Sequence, residues 1–200
     1  EYEYTYATLT VVGTNAPLVI AVEPVRHDSA WEGDDGVSIS WAEIVDRLMQ
    51  QARKHLDIHL VMADRAFEGT AVNHVLDQYH NVNYLMPKTE DADWVKEDVE
   101  AVKEDPTIDC RVVEGVSVEI NAETPYIDKS DPTVGIIERT NYSHDQTVMY
   151  LPGENKEWCI EKEGRKVAVF VSNRTNVSPI DALGFSNRYA KRWDIENEYK

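Results

Sequence analysis

The order of apolar and polar positions along the chain predicts strands that alternate with helices. An alternating run at 2–12 and an apolar run at 18–22, separated by a turn containing Gly and Pro, predict an antiparallel hairpin. Helical spacing of apolar residues then follows Ser40, and Glu43 lies three residues later as in a capping box. The apolar run at 58–63 predicts a short buried strand that ends at Asp64.

After Asp64 the pattern predicts a helix capped by Thr70, a strand at 82–86 and an acidic helix. The pattern then changes to short strands, which we place at 108–113, 116–120, 134–140, 147–151, 158–161 and 167–171. The pairs Glu114-Gly115 and Glu163-Gly164 predict tight turns between these strands. A last helix is predicted from Ser178 at the N-cap and Pro179 at the first helical position.

This order of elements predicts an α/β fold. Strands alternating with helices favour a mixed or parallel sheet with helices on its faces. We divide the chain into the N-terminal part of a core at 1–105, a β-rich insertion at 106–172, and a helix at 173–200 that completes the core.

The charge balance is strongly acidic. Asp and Glu total 37 against 20 Lys and Arg, a net charge of −17, which repels nucleic acid and anionic membranes over most of a surface. In molar salt the Debye length falls to about 3 Å, so only charges in contact still matter. The surplus therefore predicts the salt-rich cytosol of an extreme halophile.

Three further observations favour a prokaryotic cytoplasmic protein with no membrane association. The two cysteines form neither a CxxC pair nor a disulfide framework. No apolar run approaches the roughly 20 residues of a membrane helix, and the first residues do not form a signal peptide. The chain opens without Met in strand-like sequence, which predicts a fragment of a longer protein.

Candidate chemistry lies in two places. Asp64 follows the end of a buried strand, where α/β sheets place ligands, although an Asp there also caps turns or pairs with a neighbour such as Arg65. On a helix with about 100° per residue, Arg192 lies about 300° and Glu196 about 340° from Tyr189, so the three share one face, whereas Glu198 lies about 180° away. That face suits a metal and a phosphate, or equally a surface helix with an Arg–Glu pair.

At these residues the chain resembles DDE transposases of the insertion-sequence-four type. Tyr189, Arg192 and Glu196 match the spacing of the family's Tyr-Arg-Glu-Lys signature, within Tyr-Ala-Lys-Arg-Trp-Asp-Ile-Glu-Asn-Glu-Tyr-Lys. The segment Met62-Ala63-Asp64-Arg65-Ala66-Phe67 is similar to the one bearing the family's second acid. The resemblance spans essentially the whole chain.

The resemblance implies a ribonuclease-H-like mixed sheet with flanking helices, interrupted by the β-rich insertion. It implies that Asp64 and Glu196 are catalytic and hold two Mg²⁺ or Mn²⁺ ions, which cleave phosphodiester bonds and transfer strands at transposon ends. The implied partners are double-stranded DNA, from both the terminal inverted repeats and the target, and a second copy in an active homodimer. Contacts to DNA are expected from Tyr189, Arg192, Lys88, Arg188, Lys191 and Trp158.

The chain departs from the family pattern in two ways. The signature's Lys would fall beyond residue 200, so Lys200 is not that residue, and no Asp occurs at 1–25, where the first catalytic Asp would be sought. We therefore expect the first, Asp-bearing strand to be missing and the fragment to be inactive alone. Two other hypotheses stay open: another ribonuclease-H-like nuclease or integrase using the same acids, or a non-catalytic acidic α/β binding domain.

Overall fold

The computed structural model describes residues 5–12, 17–25, 40–88, 93–105, 110–120, 142–152, 159–162 and 165–190. Their strands and helices alternate in the first half and confirm a mixed α/β fold. In chain order the elements are β1 (Thr5–Val11), β2 (Leu18–Val25), α1 (Trp41–Ala52), β3 (Leu60–Met62), α2 (Thr70–Asp77), β4 (Asn83–Pro87), α3 (Asp93–Glu104), β5 (Arg111–Ile120), β6 (Tyr142–Pro152), β7 (Cys159–Lys162), β8 (Arg165–Ser172) and α4 (Pro179–Ala190).

The predicted hairpin and the predicted helix start after it are both confirmed. Strands β1 and β2 pair antiparallel and form a two-stranded sheet of their own. The Ser40 hydroxyl accepts a hydrogen bond from the Glu43 backbone N–H at 3.2 Å, which satisfies one of the free donors of the first turn of α1. The apolar face of α1 then packs on the hairpin, through Ile44, Leu48 and Ala52 against Ala7 and Ala21.

Strands β3 and β4 are parallel neighbours joined by α2. Leu60 pairs with Asn83 and Met62 with Leu85. Helix α2 begins at Thr70, so Gly69 rather than the predicted Thr70 occupies the N-cap position. Because parallel strands end at the same side of a sheet, the residues that follow β3 and β4 lie together. We call this side, formed by residues 63–68 and Lys88, the Asp64 edge.

The predicted turn at Glu114-Gly115 is wrong, because β5 runs through it as one long strand. Residues on both sides of the pair are in register with β6, and the register shifts between Val113 and Val116. Gly115 has a φ of +72°. A glycine with positive φ occurs in β-bulges as well as in hairpin turns. Here Glu114 and Gly115 form an irregularity within the β5–β6 pairing.

Strand β8 joins the later strands to β3 and β4. One edge of β8 pairs antiparallel with β6, while its other edge carries β7 along residues 165–168 and β4 at residues 170–171. The result is a six-stranded mixed sheet with the order β3-β4-β8-β6-β5 and β7 beside β8. The division of the chain at residues 106 and 173 stays a prediction.

Side chains of the central strands alternate between two cores, as the pleat of a strand requires. On one face Tyr84, Tyr150 and Val169 pack with buried residues of α1, α2 and α3. On the other face Leu85, Met149 and Phe170 pack with Ala182, Phe185 and Tyr189 of α4. The sheet is therefore covered by helices on both faces, with α4 alone on the second face among the described helices.

Helix α3 is acidic on the outside and apolar toward the sheet. Val95, Val99 and Val102 are buried against the sheet. Asp98 of this helix accepts a hydrogen bond from the Tyr150 hydroxyl at 2.8 Å and pairs with Arg111 at 2.8 Å. The acidic helix therefore also uses its charge to hold the sheet.

Several sequence predictions fall outside the described residues. They are the strand at 134–140, the turn at Glu163-Gly164, and the residues Trp158, Lys191, Arg192 and Glu196. Among the helices that are described, none has both the length and the apolar content needed to cross a bilayer.

Candidate functional site

The Asp64 edge begins where β3 ends. The Ala63 N–H donates a hydrogen bond to the Leu85 carbonyl at 3.2 Å, which extends the β3–β4 pairing by one residue. Asp64 then turns the chain into a short 3-10 helix at Arg65–Phe67, whose last N–H donates to the Asp64 carbonyl at 3.0 Å. The Asp64 side chain makes no capping hydrogen bond to this turn and is half-buried. Capping of the turn is therefore not the role of this carboxylate.

Three elements hold the turn that carries Asp64. From α1, the Trp41 ring packs edge-on against Phe67 with a centroid distance of 4.8 Å. Directly after β4, Lys88 Nζ pairs with Glu68 Oε1 at 2.6 Å. From the opposite face of the sheet, the Tyr189 hydroxyl of α4 donates to the Ala63 carbonyl at 3.3 Å. Residues 63–68 are thus held from three directions.

Tyr189 is a predicted site residue that the structure brings next to Asp64, through its contact with Ala63. Its side chain is 1 % exposed and its ring packs edge-on against Phe170 at 5.1 Å. Helix α4 starts as predicted, because the Ser178 hydroxyl accepts from the Asp181 N–H at 3.2 Å and the Ser178 carbonyl accepts from Ala182 at 3.0 Å. The direction of α4 then carries its last turn to the Asp64 edge.

The burial of Tyr189 argues against the contact with DNA that the resemblance implies for it. A hydroxyl that bonds to a backbone carbonyl beneath the helix does not face a ligand in solvent. The next residue back, Arg188, is exposed on α4 and remains a candidate for a phosphate contact.

Lys88 is placed at the Asp64 edge but is already paired. Its side chain is 21 % exposed, and that of Glu68 is 9 % exposed. The Lys88 N–H also donates to the Val169 carbonyl at 2.9 Å, so its backbone is fixed by β8. Lys88 can present positive charge at this edge, but part of that charge is offset by Glu68. The predicted DNA contact of Lys88 stays a prediction.

The negative charge of Glu68 acts on the buried hydroxyl of Tyr84 in β4. Burial, with the negative charges of Asp77 and Glu68, raises the pKa of the Tyr84 hydroxyl far above its ordinary value, against the opposing effect of a hydrogen bond from Gln146. The Gln146 amide donates to this hydroxyl at 2.8 Å. Tyr84 is fully buried, so it serves the core and not the solvent side of the Asp64 edge.

No sequence signal singled out Glu68. It lies four residues after Asp64 in a turn, and its partner Lys88 is 20 residues away along the chain. Only the parallel pairing of β3 and β4 brings the two together. The sequence shows that Glu68 follows Asp64 closely, but it does not show that Glu68 pairs with Lys88.

Among the described residues, Asp64 is the predicted metal ligand at this edge. Within those residues, no group of three or more His, Cys, Asp or Glu side chains is arranged to hold a metal ion. A carboxylate such as that of Asp64 is the type of hard oxygen ligand that Mg²⁺ and Mn²⁺ prefer. The predicted second ligand, Glu196, lies outside the residues that the structure describes.

Compared with known proteins, the chain matches neither a family model nor a curated protein.

Proposed function

We propose that this chain is the catalytic domain of a DNA transposase of the insertion-sequence-four type, which cleaves phosphodiester bonds and transfers strands at transposon ends. One observation carries the proposal. The Tyr189 hydroxyl of α4 lies 3.3 Å from the carbonyl of Ala63, the residue before Asp64. Residues 126 positions apart in the chain, from the two segments that resemble the family, are therefore in contact.

The contact between Tyr189 and Ala63 supports a role for Glu196 if the helix continues beyond α4. Glu196 is seven residues after Tyr189, and a helix that kept its periodicity would place it on the same face, about 10 Å further along the axis. Because Tyr189 in the last turn of α4 contacts Ala63 at the Asp64 edge, such a continuation would bring Glu196 toward that edge. Glu198 would lie on the opposite face, about 180° away.

Two carboxylates and hard divalent ions suit the proposed chemistry. When bound, two Mg²⁺ or Mn²⁺ ions would stabilise the negative charge that develops during phosphoryl transfer. Asp64 and Glu196 would hold these ions. Arg188 on the exposed side of α4, together with Lys88, Lys191 and Arg192, would contact backbone phosphates, and Trp158 would stack on an unpaired base.

The finer fold we propose is ribonuclease-H-like, with one more acid on a neighbouring strand. We propose that the acid that shares an ion with Asp64 lies on a strand next to β3. Strand β4 occupies one edge of β3, and among the described strands none pairs with the other edge. A strand carrying the first Asp would fit along that edge.

The strong negative charge is compatible with DNA binding in the setting we propose, a salt-rich prokaryotic cytosol. With a Debye length of about 3 Å, acids remote from the site no longer repel the duplex. Acids and cations within contact distance still act, and the exposed Arg188 on the last turn of α4 is the cation of that helix that could do so. The partners are then element-end and target duplexes, bound by a homodimer.

Metal binding tests the proposal on this chain. We expect Mn²⁺, followed by electron paramagnetic resonance in molar KCl, to bind at a site that is lost in Asp64→Asn and in Glu196→Gln. Two matched controls should bind normally: Glu198→Gln on the opposite helix face, and Asp57→Asn, whose side chain is 77 % exposed near the other end of β3.

Two outcomes contradict the proposal. If Asp64→Asn and Glu196→Gln bind Mn²⁺ as the parent does, the two acids do not form a site, and a non-catalytic acidic binding domain is the better description. In a chain that carries the complete acid set, both variants should also abolish Mg²⁺-dependent nicking of element-end DNA without unfolding the protein. Nicking that persists in either variant refutes the assigned roles.

A further inference from the structure

Ala63 is fixed on both of its backbone polar groups. Its N–H donates to the Leu85 carbonyl of β4 at 3.2 Å, and its carbonyl accepts from the Tyr189 hydroxyl of α4 at 3.3 Å. Asp64 follows directly. The backbone that leads into the candidate metal ligand is therefore set by one hydrogen bond from the sheet and one from the helix.

The ring and the hydroxyl of Tyr189 do different things. The ring packs against Phe170 in the core beneath α4 and is buried to 1 % exposure. The hydroxyl reaches past that core to the Asp64 edge. A Phe at this position would preserve the ring packing and lose the hydroxyl, including its hydrogen bond to Ala63, so the two contributions can be separated by a single substitution.

We propose that Tyr189 is a positioning residue, which sets the placement of Asp64 relative to α4, and that it does not contact the phosphate backbone. The inference rests on the proposed function and deepens it. To reach DNA, Tyr189 would have to leave the Phe170 contact and expose a large aromatic surface to water. Residues that orient a metal ligand affect metal affinity through that ligand.

The experiment compares Tyr189→Phe with a matched control in the Mn²⁺ titration in molar KCl. Removing the hydroxyl should weaken Mn²⁺ binding about tenfold, as expected for an orienting partner of a ligand. The control is Tyr150→Phe. Tyr150 is equally buried and its hydroxyl donates to Asp98 at 2.8 Å, but it lies on β6, three strands from β3. It should lose stability without losing Mn²⁺ affinity.

Binding to a short DNA duplex of mixed sequence, followed by fluorescence anisotropy without metal, completes the test. We expect Tyr189→Phe to leave this affinity unchanged. If Tyr189→Phe keeps its Mn²⁺ affinity and binds the duplex more weakly, the residue is a phosphate contact and the inference is overturned.

Two further outcomes are distinguishable. If Tyr189→Phe changes neither affinity while Asp64→Asn abolishes Mn²⁺ binding, the site is real but Tyr189 has only a packing role, which overturns the inference alone. If Asp64→Asn leaves Mn²⁺ binding intact, the proposed function fails, and the inference fails with it.

Discussion

Asn173 is the side chain whose removal should damage the sheet most clearly. It follows β8, and its side chain forms hydrogen bonds to backbone groups of β4 and of the residue before β4, as a paired strand would. Its Oδ1 accepts from the Tyr84 N–H at 3.0 Å, and its Nδ2 donates to Asp77 Oδ1 at 2.7 Å and to the Val82 carbonyl at 3.1 Å. One side chain therefore links β8, β4 and the end of α2.

The magnitude follows from the burial of its partners. Tyr84 is fully buried, so in Asn173→Ala its N–H loses its acceptor and cannot reach water, which costs about 1–3 kcal/mol. The bonds to Asp77 and Val82 add about 1 kcal/mol, since the half-buried Asp77 can be hydrated instead. We expect the free energy of unfolding to fall by about 3 kcal/mol, which lowers Tm by roughly 6–12 °C in a chain of this size.

Urea unfolding in molar KCl, followed by circular dichroism, measures this loss. The control is Asn83→Ala, which removes one long side-chain bond to the His59 carbonyl at 3.4 Å and should cost under about 1 kcal/mol. A loss below about 1 kcal/mol for Asn173→Ala, or equal losses for the two variants, would refute the assigned role of Asn173 as a substitute for strand pairing.

Three other predictions concern the same sheet. Because the raised pKa of Tyr84 keeps its hydroxyl protonated in the folded chain, its contribution to the free energy of unfolding should be constant below about pH 10 and should fall by about 1.4 kcal/mol per pH unit above it. In urea unfolding at alkaline pH, Tyr84→Phe should therefore lose less stability per pH unit than the parent. Lys88→Met should cost about 2 kcal/mol by leaving the nearly buried Glu68 without this cation, and adding Glu68→Gln should recover most of the loss in chemical unfolding. Gly115→Ala should lower the free energy of unfolding by about 1–2 kcal/mol because of its φ of +72°, since a Cβ there would meet no other atom within 4 Å. Gly115→Asn should lower it less in the same assay, because Asn tolerates positive φ better than Ala.

The parts of the fold that sequence predicted are those set by neighbouring residues. The capping box at Ser40 and Glu43 and the Ser178-Pro179 helix start depend on contacts within a few positions, and the hairpin pairs two strands that adjoin along the chain. Local chemistry determines them, so they are visible without tertiary information.

The parts that sequence missed depend on long-range pairing. Glu114-Gly115 reads as a turn until β6 is known to pair on both sides of it. Likewise, the spacing of Tyr189 on its helix shows which face it shares but not whether DNA or the sheet lies against that face. The packing of α4 on Phe170 and Ala63 decides that question in favour of the sheet.

Iron-directed cleavage tests the convergence of Asp64 and Glu196 most directly. Fe²⁺ substituted for Mg²⁺, with ascorbate and peroxide, produces hydroxyl radicals that cut the backbone beside the bound ion. We predict cuts near both residues in molar KCl, suppressed by excess Mg²⁺ and lost together in Asp64→Asn and in Glu196→Gln. Cuts near only one of the two residues, or cuts near Asp64 that persist in Glu196→Gln, would contradict the account.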